Sequence, residues 1–463
     1  MEIPEIKETK GFLRRYAYAV KAIVIGILVL MLLIPTALIL GIISERKALQ
    51  DEATTEVSAK WANAQRVAGP VLVVPYIKVP ENTAVVKGQE EIAYAYFLPD
   101  KLVINGELLP EIRKRGIYEV AVYNSQLKLN GTFSPLDASK LSVPLNMLQF
   151  NKAFLAVGLS DMRGIGNEAQ VMWNGKPFVF NPGAVANGLF TTGLQAGIPV
   201  VTTTDQPGSA GKQDAGLTGK LAEGYEFEIT LMLKGSEQIF FTPVGKTTQV
   251  NLQSNWSNPS FAGAFLPDKR EITAKGFTAS WQVLDLNRTF PQRWVSGDPY
   301  DISTADFGVK LFMPVDGYLK STRAVKYAIL IIGLTFLVFY FIELLQHRAV
   351  HPLQYILIGI ALCIFYTLLI ALAEQLTFNL AYLVATVLTL GLITMYTASV
   401  FKSYRMGIGI GSVLLLLYSF IYVIIQSEDQ ALLMGSLGLF IILAIVMYFS
   451  RKIRWDALGE EAA

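Results

Sequence analysis

Glu343, His347 and His351 stand at i, i+4 and i+8, and the two histidines are the only ones in the chain. On an uninterrupted helix the three would share one face, an arrangement used for metal ligation or a proton relay. Pro352 works against that geometry, because the residue before a proline is pushed out of the helical region. His351-Pro-Leu-Gln354-Tyr355 is therefore read as a motif that fixes the turn between two apolar helices, with no metal assigned. Glu343 and Glu374 are the carboxylates closest to the apolar runs. A charge at the centre of a bilayer costs about 2.5–3.5 kcal/mol on insertion scales and marks function by default. Both glutamates sit at run ends, where that cost is small. The expectation is hydrogen bonding between helices, with Thr335, Gln354, Tyr355 and Tyr366 as available partners; a proton- or substrate-linked role is the alternative.

Other chemistries are bounded by what the chain lacks. Its single cysteine, Cys363, lies in an apolar run, so no intrachain disulfide is possible. No nucleotide-binding loop, HExxH motif, nucleophile elbow or zinc-finger spacing occurs. Residues 44–323 contain neither His nor Cys, which removes Ser-His and Cys-His triads from that stretch. Carboxylate chemistry and a Ser-Lys dyad remain open there. No catalytic residue and no cofactor is assigned. Trp173, Trp256, Trp281 and Trp294 are read as core in preference to a glycan or lipid groove. With 39 Lys and Arg against 37 Asp and Glu, the net charge of +2 gives no footprint for nucleic acid.

The elements that must carry these residues are mostly apolar. Hydrophobic residues make up 52% of the chain and charged residues 16%, too apolar for an ordinary soluble protein. A bilayer core takes about 20 apolar residues in helix. Runs of that kind occupy about 20–43, 325–345, 353–373, 378–400, 406–425 and 431–450, predicting six spans. Gly407 and Gly411 form a GxxxG pair, expected to pack helices closely. Lys and Arg in short flanks mark the cytoplasmic side. Lys7, Lys10, Arg14 and Arg15 precede the first run, Arg348, Lys402 and Arg405 fill alternate short loops, and Arg451, Lys452 and Arg454 follow the last. The opposite loops carry Glu374, Glu428 and Asp429 without a cation. Both termini are thus expected in the cytoplasm, despite Lys320, Arg323 and Lys326 outside the second run. The first run is read as an uncleaved anchor, being too long for a signal-peptide core.

The expected layout is a cytoplasmic segment 1–17, a first membrane helix 18–43, an extracytoplasmic β-rich domain 44–323, a five-helix membrane bundle 324–450 and a cytoplasmic tail 451–463. Residues 44–66 lack the usual breakers and read as a helix, either a stalk or packed on the domain. Strand-like stretches follow at 71–79, 91–97, 118–129, 169–180, 225–233, 238–243, 271–286 and 307–313. Without a βαβ rhythm, an all-β, antiparallel sandwich-like domain is expected. Phe97-Leu-Pro-Asp-Lys101 recurs as Phe265-Leu-Pro-Asp-Lys269, with Pro75 matching Pro243 and Lys78 matching Lys246. Arg115-Gly-Ile-Tyr118 is aligned with Lys275-Gly-Phe-Thr278, and residues 129–133 with 286–290. This suggests a duplicated β unit. Residues 181–224, rich in Gly, Ala, Thr and Ser, are read as a long loop.

Together these residues resemble the CreD inner-membrane family. The resemblance begins at Glu45-Arg46, Trp61, Gln65 and Gly69-Pro-Val-Leu-Val-Val-Pro-Tyr76, and resumes at Arg115-Gly-Ile-Tyr118. It is densest from Tyr318-Leu-Lys320 through Arg323 to Phe336, then Glu343, His351-Pro-Leu-Gln-Tyr355, Gly359-Ile-Ala-Leu362, Phe365-Tyr366, Glu374 and Ala381-Tyr382. Ala62 stands where the family has Gly, and Gln375 where it often has His, which removes a Glu-His pair from that loop. The resemblance implies a multi-pass protein of the bacterial inner membrane with a periplasmic domain. It also implies a cellular role in envelope integrity, envelope stress output and colicin tolerance, and no reaction. The function expected is non-catalytic. The partners expected are membrane lipids together with an envelope protein, a lipid or a peptidoglycan-related ligand, and no nucleic acid. A lipid or small-molecule transporter is the alternative, and a carboxylate-based membrane enzyme the third.

Overall fold

A computed structural model describes residues 17–78, 91–135, 141, 143–183, 189–200, 224–298, 300–313, 317–346, 350–427 and 430–451. His347, Arg348, Glu428, Asp429, the flanking cations before residue 17 and after 451, and most of the 181–224 stretch lie outside the described residues. The chain divides into two compact units, one of Met1–Gln50 with Val315–Ala463 and one of Asp51–Pro314.

The first unit is helical. Helix α1 (Ala17–Trp61) takes in the first apolar run and continues without a break, its residues from Asp51 onward belonging to the second unit. Then come α2 (Gly317–Lys326), α3 (Ala328–Gln346), α4 (Pro352–Ala373), α5 (Phe378–Phe401), α6 (Tyr404–Gln426) and α7 (Ala431–Ser450). Among the described residues five helices are long and apolar enough to cross a membrane. The expected second span, 325–345, falls almost wholly on α3, α2 meets it at a 42° bend, and only if that pair counts as one span does the number reach six. The short helix α2 carries Lys320, Arg323 and Lys326, whereas α3 is apolar.

Large side chains fill the helical core, among them Phe336, Phe339, Tyr355, Phe365, Tyr366 and Tyr418, all nearly inaccessible. Ile25, Leu32, Ile39 and Ile43 put a narrow stripe of α1 into the same core. Gly359 makes room for it. A methyl there would meet Leu32 of α1 and, at 3.1 Å, Phe336 of α3. Gly407 lies against α5, where an added carbon would fall 2.7 Å from Ala398 Cβ. Small residues let helices approach in lipid, where no hydrophobic force drives them together.

The second unit is built from two sheets. Numbered along the chain, the first sheet contains β1 (Gln65–Lys78), β2 (Glu91–Phe97), β5 (Phe154–Leu159), β8 (Asn181–Pro182), β9 (Gly193–Gly197), β11 (Gln238–Thr242), β13 (Pro259–Gly263), β16 (Arg293–Val295) and β17 (Phe307–Leu311). The second contains β3 (Lys101–Arg115), β4 (Tyr118–Phe133), β6 (Gln170–Trp173), β7 (Lys176–Val179), β10 (Tyr225–Ser236), β12 (Thr247–Ser254), β14 (Lys269–Thr273) and β15 (Gly276–Leu284), in the order β14-β15-β12-β3-β4-β10-β6-β7. Both sheets contribute to one apolar core.

The sheets are mixed, which corrects the antiparallel expectation. β1 runs parallel to β11, and β3 runs parallel to β12. Both parallel contacts join strands far apart in the chain. Hairpin signals report only neighbours, so local patterning cannot reveal them. The stretch 169–180 is two strands, not one. Asn174 and Gly175, both at positive φ, turn β6 into β7, the backbone geometry that Asn-Gly favours.

The two Phe-Leu-Pro-Asp-Lys segments perform the same local task. Asp100 donates its N–H to Thr132 O at 2.8 Å, and its carboxylate accepts from Ser134 N–H at 2.6 Å. Asp268 donates to Ser280 O at 2.8 Å and accepts from Gln282 N–H at 2.7 Å. Each aspartate thereby clips the returning strand to the start of the leading one. The downstream alignment fails. Arg115 ends β3 before its turn while Lys275 lies within the next turn; residues 129–133 are in β4 whereas 286–290 follow β15. The leading strand has 15 residues in one hairpin and 5 in the other.

Candidate functional site

The two glutamates predicted beside the apolar runs each lie in a set of polar residues, and α1 supplies the cation to both. Near the start of α1, Lys21 pairs with Glu343 of α3 and donates to Val350 O at 2.7 Å. Tyr355 of α4 donates its hydroxyl to the other Glu343 oxygen at 3.1 Å. The Glu343 side chain is only 4% accessible and Lys21 19%, so the pair sits largely out of solvent. Phe336 and Phe339 meet the Tyr355 ring edge-on, with centroids 5.4 and 6.3 Å away, which fixes the phenol that reaches the carboxylate.

His351 and Gln354 do something else. His351 is the N-cap of α4, where its Nδ1 accepts the Leu353 N–H at 3.2 Å and Gln354 Oε1 accepts the His351 N–H at 3.0 Å. This is a capping box with histidine in the usual Ser/Thr place and proline following at the first helical position. An Nδ1 that accepts leaves the proton on Nε2, and it is not available as a ligand. Glu343 and His351 thus have separate partners.

The second set lies at the other end of α4. Glu374 is its C-cap, where the partial negative charge of the helix end disfavours a carboxylate. Two groups offset this. Tyr318 of α2 donates to Glu374 Oε1 at 3.2 Å, and Arg46 of α1 lies 3.5 Å from the same oxygen. Arg46 is roughly 25 positions beyond Lys21 on one helix, about 38 Å at 1.5 Å per residue. That exceeds a hydrocarbon core of about 30 Å and stays within the 40–45 Å that includes headgroups. The two sets therefore sit at opposite ends of the apolar span of α1. Sequence reading named Glu343, Tyr355 and Glu374 but missed Lys21, and met Arg46 only within the resemblance, not as a partner of Glu374. Lys21 carried a signal: it is a charge just inside an apolar run, opposite in sign to Glu343.

In the β unit, Trp61, Gln65 and Arg115, three of the residues that carried the family resemblance, make contacts near the end of α1. The Trp61 indole lies between two cations, Arg113 at 4.9 Å and Lys234 at 4.8 Å from its ring, and donates to Tyr123 O at 3.4 Å. Glu56 binds Lys60 at 2.7 Å and Arg115 at 2.8 Å. Buried Gln65 donates to Asp161 O at 2.9 Å and Lys234 O at 3.0 Å. Asp161 accepts the Asn63 N–H at 2.9 Å and the Arg163 guanidinium at 2.6 Å. The Arg163 hydrogen bond, helped by those backbone donors, holds the Asp161 carboxyl down to about 2. Asp306 shows the opposite balance. Burial raises it, although Thr242 donates to it at 2.6 Å and Arg66 pairs with it. Trp61, Gln65 and Asp161 thus latch backbone, whereas Glu56 and Asp306 pair with side chains. Trp173, Trp281 and Trp294 are buried in the core, and Trp256 packs at its edge.

Comparison with known proteins adds what geometry cannot. The sequence model for inner membrane protein CreD matches residues 17–456. The chain is 32% identical over 435 residues to inner membrane protein CreD of Escherichia coli (strain K12), covering 93% of this chain and 92% of that protein. Among solved structures, an M1 zinc metallopeptidase variant from Deinococcus radiodurans gives a TM-score of 0.21 at 8% identity, over 46% of this chain and 42% of that one. A likeness that weak carries nothing about fold or chemistry. The first two matches show the family, and this chain belongs to the CreD family of inner membrane proteins.

Proposed function

We propose that the protein is a non-catalytic component of the cell envelope, anchored by its helical unit. In this reading the β unit lies outside the cytoplasm and binds an envelope protein, a lipid or a cell-wall component. One observation carries it. Glu343 and Glu374, the carboxylates best placed for intramembrane chemistry, are both engaged by a cation and a tyrosine in ties between helices. The flanking cations, at Lys402, Arg405 and Arg451 and in both terminal segments, support cytoplasmic termini. Reporter fusions at Ser134 and Gly297 test the topology: periplasmic reporters should be active, and cytosolic reporter activity would sink it. Glu343→Gln and Glu374→Gln, compared at equal protein level, should retain rescue of detergent or β-lactam sensitivity in a deletion strain.

A second reading, a lipid or small-molecule transporter, draws on different groups. The hydroxyls of Thr335, Tyr366, Thr386 and Tyr418 are buried in the bundle with no hydrogen-bond partner among the described residues. Polar residues inside a span are costly and by default mark a functional pathway. Loss of rescue by Tyr366→Phe or Glu343→Gln at normal protein level would favour transport.

A further inference from the structure

Three side-chain hydroxyls of the helical unit, those of Tyr366, Thr386 and Tyr418, are sealed from solvent and have no hydrogen-bond partner among the described residues. They come from three helices but stand at one level. Tyr366 lies about seven positions before the end of α4, Thr386 about eight after the start of α5, and Tyr418 about eight before the end of α6. Those helix ends share one side of the bundle: Glu374–Thr377 joins α4 to α5, and Gln426 of α6 donates to Asn379 of α5. At 1.5 Å per residue, each of the three residues is roughly 10–12 Å in from that side. The packing of α5 on α6 gives the same register. Carbons added at Gly407 and Gly411 would meet Ala398 and Thr394, and the same antiparallel step carries Tyr418 to Val387, next to Thr386.

The tyrosines also surround one side chain. Phe365, fully buried, has the rings of Tyr418, Tyr366 and Tyr382 at 4.9, 5.0 and 5.6 Å, all nearly edge-on. Tyr366 is within electrostatic reach of Tyr418, Tyr382 and the Cys363 thiol. Tyr382 is already engaged, donating its hydroxyl to Tyr418 O at 2.8 Å. A polar run leads from this level to the helix ends. The Tyr382 ring lies 5.2 Å from that of Tyr422, whose hydroxyl accepts from Gln426 at 3.0 Å, and Lys320 of α2 donates to Gln426 Oε1 at 3.0 Å.

A hydroxyl buried without a partner forfeits its bonds to water for nothing in return. Tyrosine cannot bend back to its own helix carbonyls as serine and threonine do. The chemistry of the ligand follows from these groups. Helices α4 and α5 contain no charged residue and α6 only Arg405, at its far end, so an ion would be left uncompensated. An apolar ligand would leave the hydroxyls as they are, and Phe365 fills the space among the tyrosine rings. What fits is small, neutral and both donor and acceptor. A buried water typically takes about three hydrogen bonds from groups otherwise unsatisfied. We propose that α4, α5 and α6 hold internal water bound by the hydroxyls of Tyr366, Thr386 and Tyr418. Such water would be held whether or not the bundle carries a solute, so the site stands apart from both readings of function.

X-ray radiolytic hydroxyl-radical labelling of the full chain in lipid nanodiscs, read by mass spectrometry, tests this. The radicals form from water and react where they form, so a sealed aromatic ring is oxidised when a water adjoins it. Phe365 should be oxidised well above the unirradiated background despite its burial. In Tyr366→Phe with Tyr418→Phe, the rate at Phe365 should fall at least threefold; if that double variant is not monodisperse, Thr386→Val takes its place with the same expected direction. Tyr366→Phe and Tyr418→Phe alone should each lower the melting temperature, because each takes a bond from the water. Dry hydroxyls would give the opposite sign. A parental Phe365 rate at background, a rate unchanged in the variant, or melting raised by both single substitutions would overturn the proposal.

Discussion

Removing Lys21 should cost more than removing Glu343, although the two form one pair. In Lys21→Met, Glu343 keeps only the Tyr355 hydroxyl while its side chain stays 4% accessible. Breaking a buried pair by deleting one partner costs about 3–5 kcal/mol, because the other charge is left uncompensated. In Glu343→Gln the survivor is a lysine that is 19% accessible, still bonded to Val350 O, on a long stem that can carry its ammonium toward the headgroups. Tyr355 retains an acceptor in the glutamine carbonyl. The expected loss is about 1–2 kcal/mol, close to that of one charge-assisted hydrogen bond. Lys21→Met with Glu343→Leu removes both charges and should recover most of the single-mutant loss, as replacement of buried pairs by apolar residues often does. The measurement is a double-mutant cycle of Lys21→Met, Glu343→Leu and their combination, with Glu343→Gln alongside, on thermal aggregation of the solubilised chain, read as its monodisperse fraction after heating. If Lys21→Met proves as mild as Glu343→Gln, or the double variant is worse than the sum of the singles, the pair is not buried as described and the reasoning fails.

Other expectations follow from single contacts. Asp161 is held down to about 2 from an ordinary value of 3.8, so its contribution is complete above about pH 4 and lost as pH falls toward 2. Its partner Arg163 is 54% exposed, so screening limits the effect to about 1 kcal/mol; Asp161→Asn should flatten the acid limb of the unfolding curve, and an unchanged limb would refute the assignment. Gly359→Val should destabilise by about 1–3 kcal/mol through collision with Leu32 and Phe336, and a parental melting temperature would show that α1 does not pack there. Asp100→Ala and Asp268→Ala should each cost about 1 kcal/mol and speed amide exchange at Ser134 and Gln282 respectively; exchange left unaltered at both would mean the clips are not made.

Much of the candidate site was legible as residue types but not as a set. His351-Pro-Leu-Gln354 announces its own cap, since every partner lies within four residues. Glu343 and Glu374 stand out as carboxylates beside apolar runs, yet their cations come from more than 300 residues earlier, and no spacing rule spans that distance. β3 went unread because Gly106, Pro110 and a cluster of charges mask its alternation. Leu102, Ile104 and Leu108 nevertheless point inward along it, and it pairs with β4 through to Arg115. That the hydroxyls of Tyr366, Thr386 and Tyr418 lack partners is invisible in sequence, because it depends on what the packed helices bring beside them.

The sequence alone determined which segments prefer lipid, that the middle of the chain is β-rich, and that Leu-Pro-Asp-Lys turns occur twice. These are properties of a segment and its near neighbours: transfer free energy per residue, backbone restriction at proline, and the side-chain reach of aspartate to its own strand. Tertiary structure decided the rest: the bend between α2 and α3, the parallel contacts of β1 with β11 and β3 with β12, and the union of Lys21 with Glu343 and Arg46 with Glu374. Each of those depends on which distant surfaces meet. Charges in a low-dielectric interior, and backbone groups on a strand edge, are satisfied by whichever partner the packed core brings within about 3 Å, and that choice belongs to the whole chain.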